Sequence, residues 1–330
     1  MIQKLKSALA RSNKILITTH KSPDGDAIGS SVALYHFLKA QNKESLILLP
    51  DAPPDFLFSF LEDVNYLIYE NDASVIDASL AEFDLVFCLD YNTSSRVGKQ
   101  MEILLNNVSC EMIMIDHHLN PSDLCSIVIS RPEICSTCQL VYECIEEMGG
   151  LDFLTTKCCE AIYLGMVTDT GSFRYPSVTS KSHRILAHLL DMGVVHFKIH
   201  EMIFDGNTLD QIQLRAFAIA NNIEKIDNYP VALISLSADE LKRFNYKKGD
   251  TEGLVNVVLS IEGISIALFL MEAPEGIKLS FRSKGEYIVN EFAEKYFLGG
   301  GHKYAAGGLS KVSLSETIIR FKSLVSKLMP

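Results

Sequence analysis

The chain has 330 residues, 48% hydrophobic and 22% charged, the composition of an ordinary globular protein rather than a disordered or low-complexity one. That length accommodates two domains with separate cores, at about 100–200 residues each. Thirty basic against 41 acidic residues leave a net charge of −11, which is unfavourable for holding a long polyanion by charge alone. Any bound nucleic acid is expected to be short, or gripped through metals and a local basic pocket.

The first 190 or so residues alternate short β-branched runs with amphipathic stretches, the pattern of an open, mainly parallel sheet with flanking helices. Strands are expected at 14–19, 45–49, 84–89 and 111–115, and helices at 27–40, 137–148 and 157–168. The pattern turns helical from 194 to 222, and runs at 231–236, 254–260, 264–271 and 277–281 then read as strands. A helix at 288–297, a glycine-rich turn, a short strand and a terminal helix from about 315 complete a smaller α+β domain with a mixed sheet. The expected division is 1–193 for an α/β domain, 194–228 for a helical connector and 229–330 for the second domain.

Chemistry-bearing residues gather at the ends of these elements. His20, Asp24 and Asp26 lie in a strand-to-helix loop whose path is set by Pro23 and Gly25. Asp90 ends the strand at 84–89, Asp116-His117-His118 follows the strand at 111–115, and Asp169 ends an apolar helix. Alone, each reads as a turn, a packed histidine or a helix end. Together they meet on one rim, because ligands bind outside the carboxyl ends of strands in open parallel sheets.

Two histidines and four aspartates suit manganese first, then zinc or iron, with magnesium also compatible. Two such ions, about 3.5–4 Å apart, would activate a bridging water and clamp the attacking and leaving oxygens at phosphorus. Asp90 is the natural bridge, since two cations that close need a shared anion. Arg96, shortly after Asp90, is a candidate contact to the phosphoryl oxygens.

These residues resemble the DHH phosphoesterase superfamily, whose motif stands here as Asp116-His117-His118. The resemblance extends to the His-x-x-x-Asp-x-Asp motif at His20, Asp24 and Asp26, to Asp90 and to Asp169. It implies one metal held by His20, Asp24 and Asp90, and a second held by Asp26, Asp90, His117 and Asp169. It makes His118 a residue behind the ligands or facing phosphate, and Asp116 a brace for the histidines. Residues 299–308, from Gly299, Gly300, Gly301 and His302 onward, resemble the glycine-rich signature of the DHH-associated substrate-binding domain. Backbone N–H groups there can approach a phosphate, with His302 as a further donor and Arg282 as the matching basic residue.

Within the superfamily the layout is similar to bacterial oligoribonucleases that degrade RNA a few nucleotides long, relatives of which dephosphorylate 3′-phosphoadenosine 5′-phosphate to AMP. The expected substrate is short single-stranded RNA or a nucleotide phosphate, not long duplex. Pyrophosphatase or exopolyphosphatase activity, linear dinucleotide phosphodiesterase activity and non-catalytic nucleotide binding are the alternatives. The leaving oxygen would be assisted by His118 or by a metal-bound water.

The remaining signals are bland. No run reaches the roughly 18 apolar residues of a membrane span, and 15–19 is too short for a signal sequence, so a cytoplasmic protein without membrane contact is expected. The eight cysteines, Cys135 and Cys138 included, lack a second pair at zinc spacing and read as buried thiols. His196 and His200 do not complete a zinc-protease helix and read as surface or packing residues. The oligomeric state stays open, a homodimer included.

Overall fold

Short apolar runs joined by helical stretches long enough to cross over favour a parallel sheet covered on both faces. The computed structural model, which describes residues 1–329, divides into two units, Met1–Gly206 and Asn207–Pro330. In chain order the first unit contains α1 (Ile2–Arg11), β1 (Lys14–Thr18), α2 (Gly25–Ala40), β2 (Glu44–Leu49), β3 (Tyr66–Ile68), α3 (Tyr69–Ser79) and β4 (Leu85–Leu89). It continues through α4 (Lys99–Asn106), β5 (Glu111–Asp116), β6 (Ile127–Ser130), α5 (Thr137–Glu147), α6 (Thr156–Asp169), α7 (Ser180–Asp191) and α8 (His196–Phe204).

All six strands are parallel, in the order β3-β2-β1-β4-β5-β6. The order reverses between β1 and β4. Connections leaving those two strands diverge and open a crevice at their carboxyl ends, the place where doubly wound sheets bind ligands. Alternation along the strands feeds two cores. Ile15, Ile17, Phe87, Leu89, Ile113 and Ile115 pack with α2, α5 and α6, while Leu16, Val86, Cys88, Met112 and Met114 pack with α3 and α4.

Every residue of α2 from Gly25 to Leu38 is buried, as a helix apolar on all sides requires. It lies against α5 and α6, and the contact is close enough to need glycine. A Cβ on Gly165 would stand 2.1 Å from Cys138 Sγ and 2.6 Å from Asp26 Oδ1. Helix packing and placement of an acidic side chain thus share one position.

The second unit holds α9 (Leu209–Asn221), β7 (Ile223–Ile226), β8 (Val231–Leu236), α10 (Ala238–Arg243), α11 (Leu254–Leu259), β9 (Ile266–Ala273) and β10 (Gly276–Ser283). It ends with α12 (Asn290–Tyr296), β11 (Gly300–His302), β12 (Ala305–Ser310) and α13 (Leu314–Leu324). Its sheet runs β11-β12-β10-β9-β8-β7 and is mixed, with β8 and β9 parallel and the other pairs antiparallel.

The fold is therefore the two-unit α/β architecture expected, with three local differences. The run at 254–260 is the helix α11, not a strand. Its Leu254, Val255 and Val258 recur at helical spacing against Ile234, Ala267 and Phe269, and that packing outweighs the β-preference of valine. The stretch expected as a helical connector is divided, α8 falling in the first unit and α9 with the strand β7 in the second. The glycine-rich turn is itself the edge strand β11, paired to β12. Among the described residues no helix is long and apolar enough to cross a membrane.

Candidate metal centre

The strand ends at the reversal point deliver the expected side chains. His20 follows β1, and Asp24 caps α2, its Oδ1 accepting the N–H groups of Asp26 at 3.0 Å and Ala27 at 3.1 Å. The intervening loop is pinned from β2's end by Asp51, whose Oδ1 accepts the N–H of Ser22 at 2.5 Å; Ser22 has a left-handed φ of 56°. Asp90, directly after β4, is also left-handed at φ 64°, a conformation Asp tolerates better than most residues.

Asp90 is common to three three-residue groups of the first unit, one with His20 and Asp24, one with Asp26 and His117, and one with Asp116 and His118. Its Oδ2 lies 3.3 Å from His20 Nε2 and its Oδ1 lies 3.7 Å from His117 Nε2. His20 Nε2 also stands 3.9 Å from Asp24 Oδ1. His117 Nε2 stands 3.8 Å from Asp26 Oδ2 and 3.4 Å from Asp169 Oδ2. His20 Nδ1 donates to the Lys21 carbonyl at 2.9 Å and His117 Nδ1 to the Ile134 carbonyl at 3.1 Å. Since a carbonyl only accepts, Nε2 is in each case the atom left for coordination.

Burial sets the electrostatics. It disfavours the charged form of His20, yet the hydrogen bond to Asp90 and the charges of Asp24 and Asp90 raise that ring to about 9. Burial likewise opposes charge on His117, and Asp169, Asp26 and Asp90 raise it to about 9. Burial would push Asp90 up, but His20, His118 and His117 hold it well below the usual carboxylate range. Burial and the charges of Asp90 and Asp169 drive Asp26 well above that range, and burial lifts Asp169 to about 6. Carboxylates crowded until some resist ionisation, with ring nitrogens aimed among them, are a donor set that divalent cations fit.

Beside this cluster, His118 Nδ1 donates to Asp116 Oδ1 at 2.7 Å, and the His118 N–H donates to Asp116 Oδ2 at 3.1 Å. Arg96 Nη2 lies 3.4 Å from His118 Nε2. His20, Asp24, Asp26, Asp90, Asp116, His117, His118, Asp169 and Arg96 therefore stand together in the first unit. In the second unit, Arg282 pairs in register with Ala305 and donates through Nη1 to the Phe281 carbonyl at 2.9 Å. Gly299, Gly300 and Gly301 run along β12, where a Cβ on Gly301 (φ 139°) would lie 2.6 Å from the Ala305 carbonyl oxygen, and His302 closes the hairpin.

Thr137, which sequence reasoning did not single out, is bonded to two of these carboxylates. Its N–H donates to Asp26 Oδ2 at 2.6 Å and its hydroxyl to Asp90 Oδ1 at 2.8 Å, while the Cys138 N–H donates to Asp26 Oδ1 at 2.9 Å. Ser136-Thr137 before a helical run signals an N-cap in sequence, which leaves this second role invisible. Cys135 and Cys138 are buried thiols, the former donating to Gln139 Oε1 at 2.9 Å.

A doubly wound sheet with a histidine–aspartate cluster at its reversal point places a candidate metal-dependent site at the strand ends. Residues 14–166 match the DHH family N-terminal domain and residues 228–329 the DHHA1 domain. A bifunctional oligoribonuclease and PAP phosphatase NrnA of Thermus thermophilus is 31% identical over 301 residues, covering 90% of this chain and 84% of that protein. The Bacillus subtilis protein of the same name is 28% identical over 297 residues, covering 89% and 88%. An exopolyphosphatase-related protein from Bacteroides fragilis superposes with a TM-score of 0.94 at 38% identity, covering 99% of this chain and 95% of that one. The chain belongs to the DHH family, and it is a hydrolase acting on phosphoester bonds.

Proposed function

We propose that the protein is a two-metal phosphoesterase that hydrolyses very short single-stranded RNA to mononucleotides and removes a phosphate from 3′-phosphoadenosine 5′-phosphate. The observation that carries the reading is Asp90, whose two oxygens face separate groups, His20 with Asp24 on one side and Asp26 with His117 on the other. His20, Asp24 and Asp90 would hold one cation, and Asp26, Asp90, His117 and Asp169 a second, with manganese the first choice. Bound there, divalent cations supply a nucleophile at neutral pH and offset charge on the phosphoryl oxygens. The relatives named above as oligoribonuclease and PAP phosphatase support the substrate class.

The chain's own residues do the rest. Asp116 holds His118 by one bond to the ring Nδ1 and one to the backbone N–H, which leaves Nε2 to exchange a proton with the leaving oxygen. Arg96, next to that nitrogen, stabilises negative charge at phosphorus. Arg282, Gly299, Gly300, Gly301 and His302 are the candidate substrate-binding residues of the second unit. The reaction takes place in the cytoplasm.

The test is release of mononucleotides from a 5′-labelled RNA dinucleotide and from a longer RNA, with manganese added, for wild type and Asp90→Asn. Asparagine keeps the left-handed backbone at ease and removes only the charge. Manganese-dependent turnover of the dinucleotide by wild type alone supports the proposal. Preferential turnover of long RNA refutes it, and turnover of pyrophosphate or polyphosphate instead favours the reading suggested by the Bacteroides fragilis neighbour.

A further inference from the structure

Thr137 opens α5, yet its hydroxyl contributes nothing to that helix. Ser136 is the cap, its Oγ accepting the Gln139 N–H at 3.0 Å, which leaves the Thr137 hydroxyl to donate to Asp90 Oδ1 at 2.8 Å. The same residue's N–H and the next one fix both oxygens of Asp26. Thr137 is 0% exposed, Asp26 1% and Asp90 2%, so water cannot stand in for these bonds.

The bond makes the two oxygens of Asp90 unequal. Oδ2 faces His20 Nε2 at 3.3 Å and takes no hydroxyl, whereas Oδ1 takes the Thr137 hydroxyl and faces His117 Nε2 at 3.7 Å. The first turn of α5 therefore ties Asp26 and Asp90 together on the side of the cluster that contains His117. Without that tie Oδ1 loses its fixed register with Asp26, while Oδ2 keeps its place beside His20.

We propose that Thr137 is a positioning residue for the reaction, locking Asp90 Oδ1 against Asp26 and so setting the affinity of the cation site formed with His117 and Asp169. The inference rests on the two-cation reading above and extends it to a residue outside the ligand set. Removing the hydroxyl weakens one site and spares the other, because only one oxygen of Asp90 carries the bond.

The experiment uses the full chain, stripped with chelator and titrated with manganese, free ion being followed by electron paramagnetic resonance. Wild type, Thr137→Val and Thr137→Ser are compared. Valine keeps the shape and the backbone N–H, and serine keeps the hydroxyl. Wild type is expected to bind two ions. Thr137→Val should weaken one class of site about 10- to 100-fold with the other left within about twofold, the usual reach of a residue bonded to a ligand. In the same variant kcat on the RNA dinucleotide should fall with KM little changed, and Thr137→Ser should restore both binding and turnover.

Two unaltered sites and unaltered kcat in Thr137→Val overturn the inference and leave the two-cation reading standing. Equal weakening of both sites with a collapse of Tm that serine does not repair also overturns it, since that outcome marks a packing residue. A wild type that binds no manganese overturns the two-cation reading and the inference together.

Discussion

Gly165→Ala sets two effects of opposite sign against each other. In the interior of a helix, alanine is favoured over glycine by about 1 kcal/mol. Here the added Cβ would meet Cys138 Sγ at 2.1 Å, Asp26 Oδ1 at 2.6 Å and Cys138 Cβ at 2.9 Å. Rotating the thiol away does not relieve the last contact, so α5 or α6 must shift, an overpacking cost of roughly 1–3 kcal/mol. The clash outweighs the gain by up to about 2 kcal/mol, which lowers Tm by up to ~8 °C for a unit of this size. Asp26 is among the residues struck, so manganese affinity and dinucleotide turnover should fall further than stability does. Thermal unfolding with chelator, followed by the manganese titration, reads both quantities. A variant with Tm at or above wild type and full turnover would refute the packing argument.

His118→Ala should reduce kcat by about 10²–10⁴-fold with both manganese ions retained, the usual worth of a proton-transferring group; Asp116→Asn should act in the same direction through the ring it holds, and a loss of manganese in either variant would count against the assignment. In the presence of chelator, stability should fall as pH rises. Asp169, raised to about 6, favours the folded state most below its ordinary value of 3.8, and His20 and His117, raised to about 9, favour it fully below 6.5 and cease to do so as pH climbs through 9. The manganese-induced gain in Tm should accordingly be larger at pH 8.5 than at pH 5.5, by thermal unfolding; a chelated protein that gains stability over that range contradicts the electrostatic account. For the dinucleotide, one or two neutralised phosphates give a slope of log KM on log salt of about 0.7–1.4 at fixed manganese, and a slope beyond about 4 would indicate a long-chain binder instead.

The first-unit site was legible because its chemistry sits next to its folding signals. His20, Asp90 and Asp116 to His118 each follow a strand that announces itself by apolar length, and a parallel sheet puts all such ends on one rim. Residues whose role comes from helix-to-helix packing were not legible. Thr137 meets Asp26 across 111 residues of sequence, and Gly165 is small because of Cys138, neither of which a periodicity can register. The helix α11 escaped for a related reason. Its valines favour a strand locally, and only the surface offered by β8 and β9 selects the helix. The strands β3 and β6, of three and four residues, are too short to carry a period of their own.

Charge divides the molecule as the chemistry does. The first unit has 15 basic and 27 acidic residues, a net of −12, and the second has 15 and 14, a net of +1. An excess of that size repels a polyanion, and within the cluster burial and the neighbouring carboxylates raise Asp26 and Asp169. Both difficulties yield to the same remedy. On the two-cation proposal, divalent cations would remove the repulsion among the carboxylates and present positive charge only at the reacting phosphate, so affinity would be concentrated at one position and would not accumulate along a chain. A substrate with few phosphates loses little by this arrangement and a long strand gains nothing from it. On that proposal the acidic excess of the first unit would act as a length filter.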